Sequence, residues 1–123
     1  MEFGQLSKQV IGCAIEVHRE LGPGLLESTY EKCLAHELRG HNIECVTQMA
    51  LPVEYKSLAL DCGYRIDLMV AGNLIVELKS VDSLQRIHEA QILTYMKLAG
   101  IGTGLLINFN TTLLKNGIKL LVL

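Results

Sequence analysis

In this 123-residue chain, Asp67, Glu77 and Lys79 have the types and spacing for phosphate chemistry. Between Tyr64 and Ser80 the even positions Ile66, Leu68, Val70, Leu74, Val76 and Leu78 are all apolar, while the odd positions carry Arg65, Asp67, Met69, Ile75, Glu77 and Lys79. Period two predicts strands. A hairpin through the odd-numbered loop Ala71-Gly72-Asn73 keeps the even positions of both strands on one face. It sets Asp67 opposite Glu77, and Arg65 opposite Lys79. Opposite residues have Cβ atoms about 5 Å apart, so the two carboxylates could share a divalent cation. With an ammonium beside them they can position and activate water and offset charge on a phosphate. The same alternation also describes the solvated face of an ordinary hairpin.

The segment after the hairpin adds to the chemical reading. Ser83 is expected to N-cap a helix from Leu84 to about Ala99, stopped by Gly100. Gln91 and Tyr95, four apart, share a face with centres roughly 6 Å from each other, and His88 lies on a neighbouring row. The expected buried stripe is Leu84, Ile87, Ala90, Leu93 or Thr94, and Leu98. His88 could contact a substrate phosphate or be a polar surface residue. Arg65 could clamp a phosphate or pair with Asp67.

The other elements must hold these residues in place. Leu6, Val10, Cys13, Ala14, Val17 and Leu21 recur at helical spacing, which predicts a helix from about Phe3 to Glu20. Gly22-Pro23-Gly24 forces a corner. A second helix follows from Leu25 to Gly40. Short segments rich in Val, Ile and Tyr after Asn42 read as strands, as do Gly104–Phe109 and Gly117–Leu123. One α/β domain spanning residues 1–123 follows, with helices packed on one mixed sheet.

Composition narrows the function. Half the residues are apolar and a fifth are charged, enough to build a core without disulfide or metal staples. No apolar run approaches the ~20 residues of a membrane span. The start, Met-Glu-Phe-Gly-Gln-Leu-Ser-Lys, lacks the pattern of a cleaved leader, and the four cysteines form no C-x-x-C pair. A cytoplasmic chain with reduced thiols is expected. Cys33, His36, His41 and Cys45 superficially resemble a zinc set, but Cys33 falls on the apolar helix stripe, which favours packing. His18, near the corner, could approach a metal site, but a helix-surface or interhelix packing role is favoured. A net charge of −2 makes any nucleic-acid footprint local.

Asp67, then Glu77-Leu78-Lys79, then Gln91-Ile-Leu-Thr-Tyr95 resemble the D…ExK…QxxxY signature of PD-(D/E)xK nucleases, particularly the RecB-like and lambda-exonuclease-like branch. The order strand, turn, strand, helix is the context such a signature requires. Over almost the whole chain the sequence also resembles the GxxExxY protein family, placed with that superfamily. Its namesake is Gly24-Leu-Leu-Glu27-Ser-Thr-Tyr30, flanked by Ala14-Ile-Glu-Val-His-Arg-Glu-Leu-Gly-Pro-Gly24, with Tyr64-Arg-Ile-Asp-Leu68, Val76-Glu-Leu-Lys79 and His88-Glu-Ala-Gln91 further on. Ile66 departs from the pattern, standing where the superfamily's namesake has Pro before the Asp.

The resemblance implies a restriction-endonuclease-like αβββαβ core with an extra N-terminal helix. It implies Asp67 and Glu77 as catalytic metal carboxylates, helped by the Leu78 carbonyl and by Glu27 on the first core helix. A Glu in the first turn also simply favours a helix N-terminus. Lys79 would orient the attacking water, and Gln91 and Tyr95 would position Lys79 or the phosphate. Tyr30, Arg65 and His88 complete the expected substrate-positioning set. The implied activity is Mg²⁺- or Mn²⁺-dependent hydrolysis of DNA, with Arg65, Lys56, Arg86 and Lys97 as basic contacts. The small surface suggests a homo-oligomer, a partner subunit, or a short or single-stranded substrate. The alternative is a non-catalytic nucleic-acid- or protein-binding module that retains the fold.

Overall fold

The helical spacing of Val10, Cys13, Ala14 and Val17 is realised in helix α1 (Gln5–Leu21), which buries all four. The structure, a computed structural model, describes residues 4–123; Phe3, the expected start of this helix, lies outside them. The corner Gly22-Pro23-Gly24 follows, with Gly22 at φ 71° and Gly24 at φ 97°, a region glycine enters without steric cost. Helix α2 spans Glu27–Gly40 and buries Tyr30, Leu34, Ala35 and Leu38.

Then come strands β1 (Cys45–Ala50), β2 (Val53–Tyr55), β3 (Leu58–Leu60), β4 (Arg65–Val70) and β5 (Leu74–Lys79), helix α3 (Arg86–Ala99), and strands β6 (Thr103–Asn108) and β7 (Ile118–Val122), the last two linked by a 3₁₀ turn at Leu114–Gly117. The main sheet has five strands in the order β1-β4-β5-β6-β7, while β2 and β3 form a separate two-stranded sheet. The expectation of one sheet is therefore corrected: β2 and β3 are three residues each and pair with one another, leaving Tyr55 and Leu58 exposed. Strand β6 runs parallel to β5, which requires the crossover that α3 supplies. Both strands are buried along nearly their whole length, as strands covered on both faces must be. The expected helix, three strands, helix, strand is met by α2, β1, β4, β5, α3 and β6.

Two cores sandwich the sheet. Leu68, Val70, Leu74, Val76 and Leu78 pack under α1 and α2, as the alternation predicts. Met69 and Ile75 point the other way, against Ile92, Tyr95 and Met96 of α3. The odd face of the hairpin is thus a second core, not a solvated face. Ile66 also belongs to this second core, so strict alternation fails there, one residue before Asp67.

Helix α3 corrects two further expectations. It begins at Arg86 after Gln85, not after Ser83. Its buried residues are Ile92, Tyr95 and Met96, whereas Ile87 is 70% exposed and Leu98 37%. Apolar residues occur on both sides of this helix, so periodicity alone does not select the side that meets the sheet. Ile87, Ala90, Thr94 and Leu98 of the expected stripe instead line an apolar groove with Val53, Tyr64 and Tyr95.

Candidate active site

The loop Ala71-Gly72-Asn73 and the register Val70–Leu74, Met69–Ile75 and Leu68–Val76 are as expected. Continued by one step this register brings Asp67 opposite Glu77, and there the ordinary ladder stops. Side chains take over the pairing. Asp67 Oδ2 accepts the Leu78 N–H at 2.9 Å, and Glu77 Oε1 accepts the Asp67 N–H at 3.3 Å. The two carboxylates therefore occupy the place where β4 and β5 cease to bond through their backbones.

Glu77 is only 5% exposed. Burial, then the charge of Asp67 and a side-chain hydrogen bond with it, push its carboxyl up to about 9, and Lys79 only partly offsets this. Without a cation Glu77 thus keeps its proton at neutral pH. Among the described residues no third His, Cys, Asp or Glu joins the pair in a ready-made metal cluster. Two carboxylate ligands fit a hard cation such as Mg²⁺, which keeps several waters and commonly takes its remaining ligands from substrate phosphate.

Lys79 follows on β5. Its Nζ donates to Gln91 Oε1 at 3.4 Å, and Gln91 Nε2 donates to the Tyr95 hydroxyl at 3.2 Å. The helical spacing of Gln91 and Tyr95 thus becomes a relay that ends on the lysine. The Tyr95 ring sits edge-on to Tyr64, and burial raises its hydroxyl above the usual tyrosine range. Among the described ion pairs none engages Lys79, which leaves its ammonium available to an external anion.

Other expected residues are placed differently. Glu27 is exposed at the start of α2 and lines a cleft with Ser28, Ser80 and Asn110 just past the end of β5. The helix carboxylate tied to Asp67 is instead Glu31, one turn further along. Gln48 Nε2 bridges Glu31 Oε1 and Asp67 Oδ1. Burial and the charge of Asp67 raise the Glu31 carboxyl, although the Gln48 hydrogen bond opposes this. Glu31 lies four residues after Glu27 on the same helix face, a spacing that could have drawn attention to it. No local pattern marks Gln48.

Arg65 pairs with Asp61 at 3.8 Å and with the Tyr64 carbonyl at 2.9 Å, so Asp67 is not its partner. His88 Nδ1 accepts the Gln85 N–H at 2.9 Å and caps α3, which commits that nitrogen to the fold. His18 packs as expected, its Nε2 donating to the Thr111 carbonyl at 2.8 Å. The zinc-like set forms no cluster among the described residues, and burial raises the thiols of Cys13 and Cys45.

Tyr30 is corrected outright as a substrate contact. It is fully buried, stacked on Phe109 at 4.4 Å. Its hydroxyl donates to the Gly22 carbonyl at 2.6 Å and accepts from the Leu25 N–H at 3.1 Å. Ser80 Oγ donates to the Leu25 carbonyl at 2.7 Å, so Tyr30 braces the glycine corner against the end of β5. Tyr30→Phe leaves two backbone groups without a partner and is expected to cost about 2 kcal/mol in urea unfolding. Cation affinity should not change.

A carboxylate pair and a tethered lysine thus lie together at one end of a mixed α/β sheet. A family model described as the PD-(D/E)XK nuclease superfamily matches residues 4–121, and the chain belongs to that superfamily. Its fold is accordingly restriction-endonuclease-like, and nucleases of the superfamily generally use divalent metals. No curated protein and no solved structure gives a significant match. Among the described residues, no helix is long and apolar enough to cross a membrane.

Proposed function

We propose that this chain is a Mg²⁺- or Mn²⁺-dependent deoxyribonuclease of the GxxExxY group. The observation that carries the reading is the tether Lys79–Gln91–Tyr95 beside the Asp67–Glu77 pair. A carboxylate pair kept only for packing has no need of a neighbouring lysine tethered by an amide.

Asp67 and Glu77 are the residues that would hold the cation. The Leu78 carbonyl faces the same side as its N–H in an extended strand, and so also faces Asp67. When bound, a divalent cation polarises the phosphate and makes water beside it a better nucleophile. Lys79 would orient the attacking water by hydrogen bonding and offset negative charge as the water oxygen bonds to phosphorus and the phosphorus–sugar oxygen bond breaks, the water's proton passing by way of solvent to the leaving sugar oxygen. Gln91 fixes the ammonium, and Tyr95 fixes Gln91. Exposed Lys56, Arg65, Arg86 and Lys97 are the basic contacts to the DNA backbone.

A second reading, a binding module without turnover, is favoured by one observation. Asp67 Oδ1, Asp67 Oδ2 and Glu77 Oε1 each already accept a hydrogen bond from the protein. Labelled single- and double-stranded DNA, incubated with Mg²⁺, Mn²⁺ or chelator, separates the two. The nuclease reading expects cation-dependent cleavage that Asp67→Ala abolishes. Folded protein that binds Mn²⁺ but leaves both DNAs intact at high protein concentration would establish the module instead.

A further inference from the structure

Gln48 has φ +51° in the middle of edge strand β1. On either side the strand is regularly paired, Thr47 opposite Leu68 and Met49 opposite Ile66. That register puts Gln48 across from Asp67. Left-handed backbone is costly for any side chain with a Cβ and free for glycine, yet a glutamine stands here. Such an outlier points to function when it delivers something the regular strand would not.

The delivered group is the amide. Gln48 Nε2 donates to Asp67 Oδ1 at 3.3 Å and also to Glu31 Oε1. One nitrogen with two hydrogens therefore sits between two carboxylates from α2 and β4. The second Asp67 oxygen is held by the Leu78 N–H at 2.9 Å, so the carboxylate is gripped at both ends. We infer that Gln48 is the positioning residue of the carboxylate centre. Its amide, brought in by the left-handed turn of β1, holds Asp67 ready for a divalent cation and separates it from Glu31. This rests on the metal-dependent reading of the site.

The test uses Gln48→Gly, which relieves the backbone and removes the amide, and Gln48→Met, which keeps the bulk and the strained backbone but has no donor. Gln48 is exposed at the sheet edge, so both variants should fold. Mn²⁺ affinity is measured by calorimetry, melting temperature in chelator, and DNA cleavage alongside. Both variants should lose about 10- to 100-fold in Mn²⁺ affinity, the usual effect of removing a group that orients a metal ligand. The Gly variant should nevertheless melt at or above the wild-type temperature, and above the Met variant.

Unchanged affinity in both variants, with wild type binding Mn²⁺ and cleaving DNA, overturns the positioning role and leaves the nuclease reading standing. Affinity lost only together with a lowered melting temperature in the Gly variant makes Gln48 a fold residue and overturns the inference. Wild type that neither binds Mn²⁺ nor cleaves DNA overturns both.

Discussion

Lys79→Ala is expected to lower cation-dependent DNA cleavage by about 10²- to 10³-fold, the range seen when one donor to developing transition-state charge is removed. The melting temperature should stay within a few degrees of wild type, because Lys79 lies at the partly open end of β5 and makes one side-chain hydrogen bond, to Gln91. Gln91→Leu should fall between wild type and Lys79→Ala. It leaves the ammonium in place but frees it to move, so the loss should be about tenfold and appear in kcat more than in KM. Tyr95→Phe removes only the far end of the relay and should have the smallest effect of the three. A flat series, or equal loss in KM for all three, would show that the lysine grips DNA in the ground state and takes no part in the chemical step.

The second large effect is on stability and follows from Glu77. Its carboxyl titrates near 9 in the folded chain against the ordinary 4.5, so between those values the metal-free folded protein holds a proton that the unfolded chain has released. The sign is therefore fixed: the contribution is fully present below about pH 4.5 and is lost as pH rises towards 9. Across that window the folding equilibrium should weaken by up to about tenfold per pH unit. Glu77→Gln, which mimics the protonated form, should flatten this slope and melt above wild type at about pH 8 in chelator. A Mg²⁺ ion must displace the same proton, so wild-type cation affinity should rise with pH below about 9. Urea unfolding at several pH values, with and without Mg²⁺, reads both effects. A wild-type slope indistinguishable from that of Glu77→Gln would mean that Glu77 is ionised and solvated in the free protein.

Expected and observed elements agree where the determining contacts are local in sequence. The loop Ala71-Gly72-Asn73 sets the register of its own hairpin, and so the facing of Asp67 and Glu77 is legible in the order of residues. Gln91 and Tyr95 are one helical turn apart, which makes their pairing legible too. Their connection to Lys79 requires only that the next helix lie across the hairpin, and the β5-α3-β6 crossover provides this. The corner at Gly22–Gly24 is equally plain, since few other residues adopt those backbone angles.

What the linear order leaves open is settled by elements distant along the chain. Apolar residues on both sides of α3 allow two docking faces, and the choice of Ile92, Tyr95 and Met96 depends on the odd face of the hairpin needing cover. Tyr30 carries a motif position, but packing against Phe109 removes it from the surface. Glu31 and Gln48 reach Asp67 because α2 and β1 converge on β4, and Gln48 does so from a backbone conformation that its residue type does not announce. Period and turn chemistry act over a few residues, so the helices, the hairpin, the facing of Asp67 with Glu77 and the pairing of Gln91 with Tyr95 follow from the linear order alone. Which side chains surround that centre follows from the packing of the whole chain, because burial and charge at the site are sums over groups that meet through space.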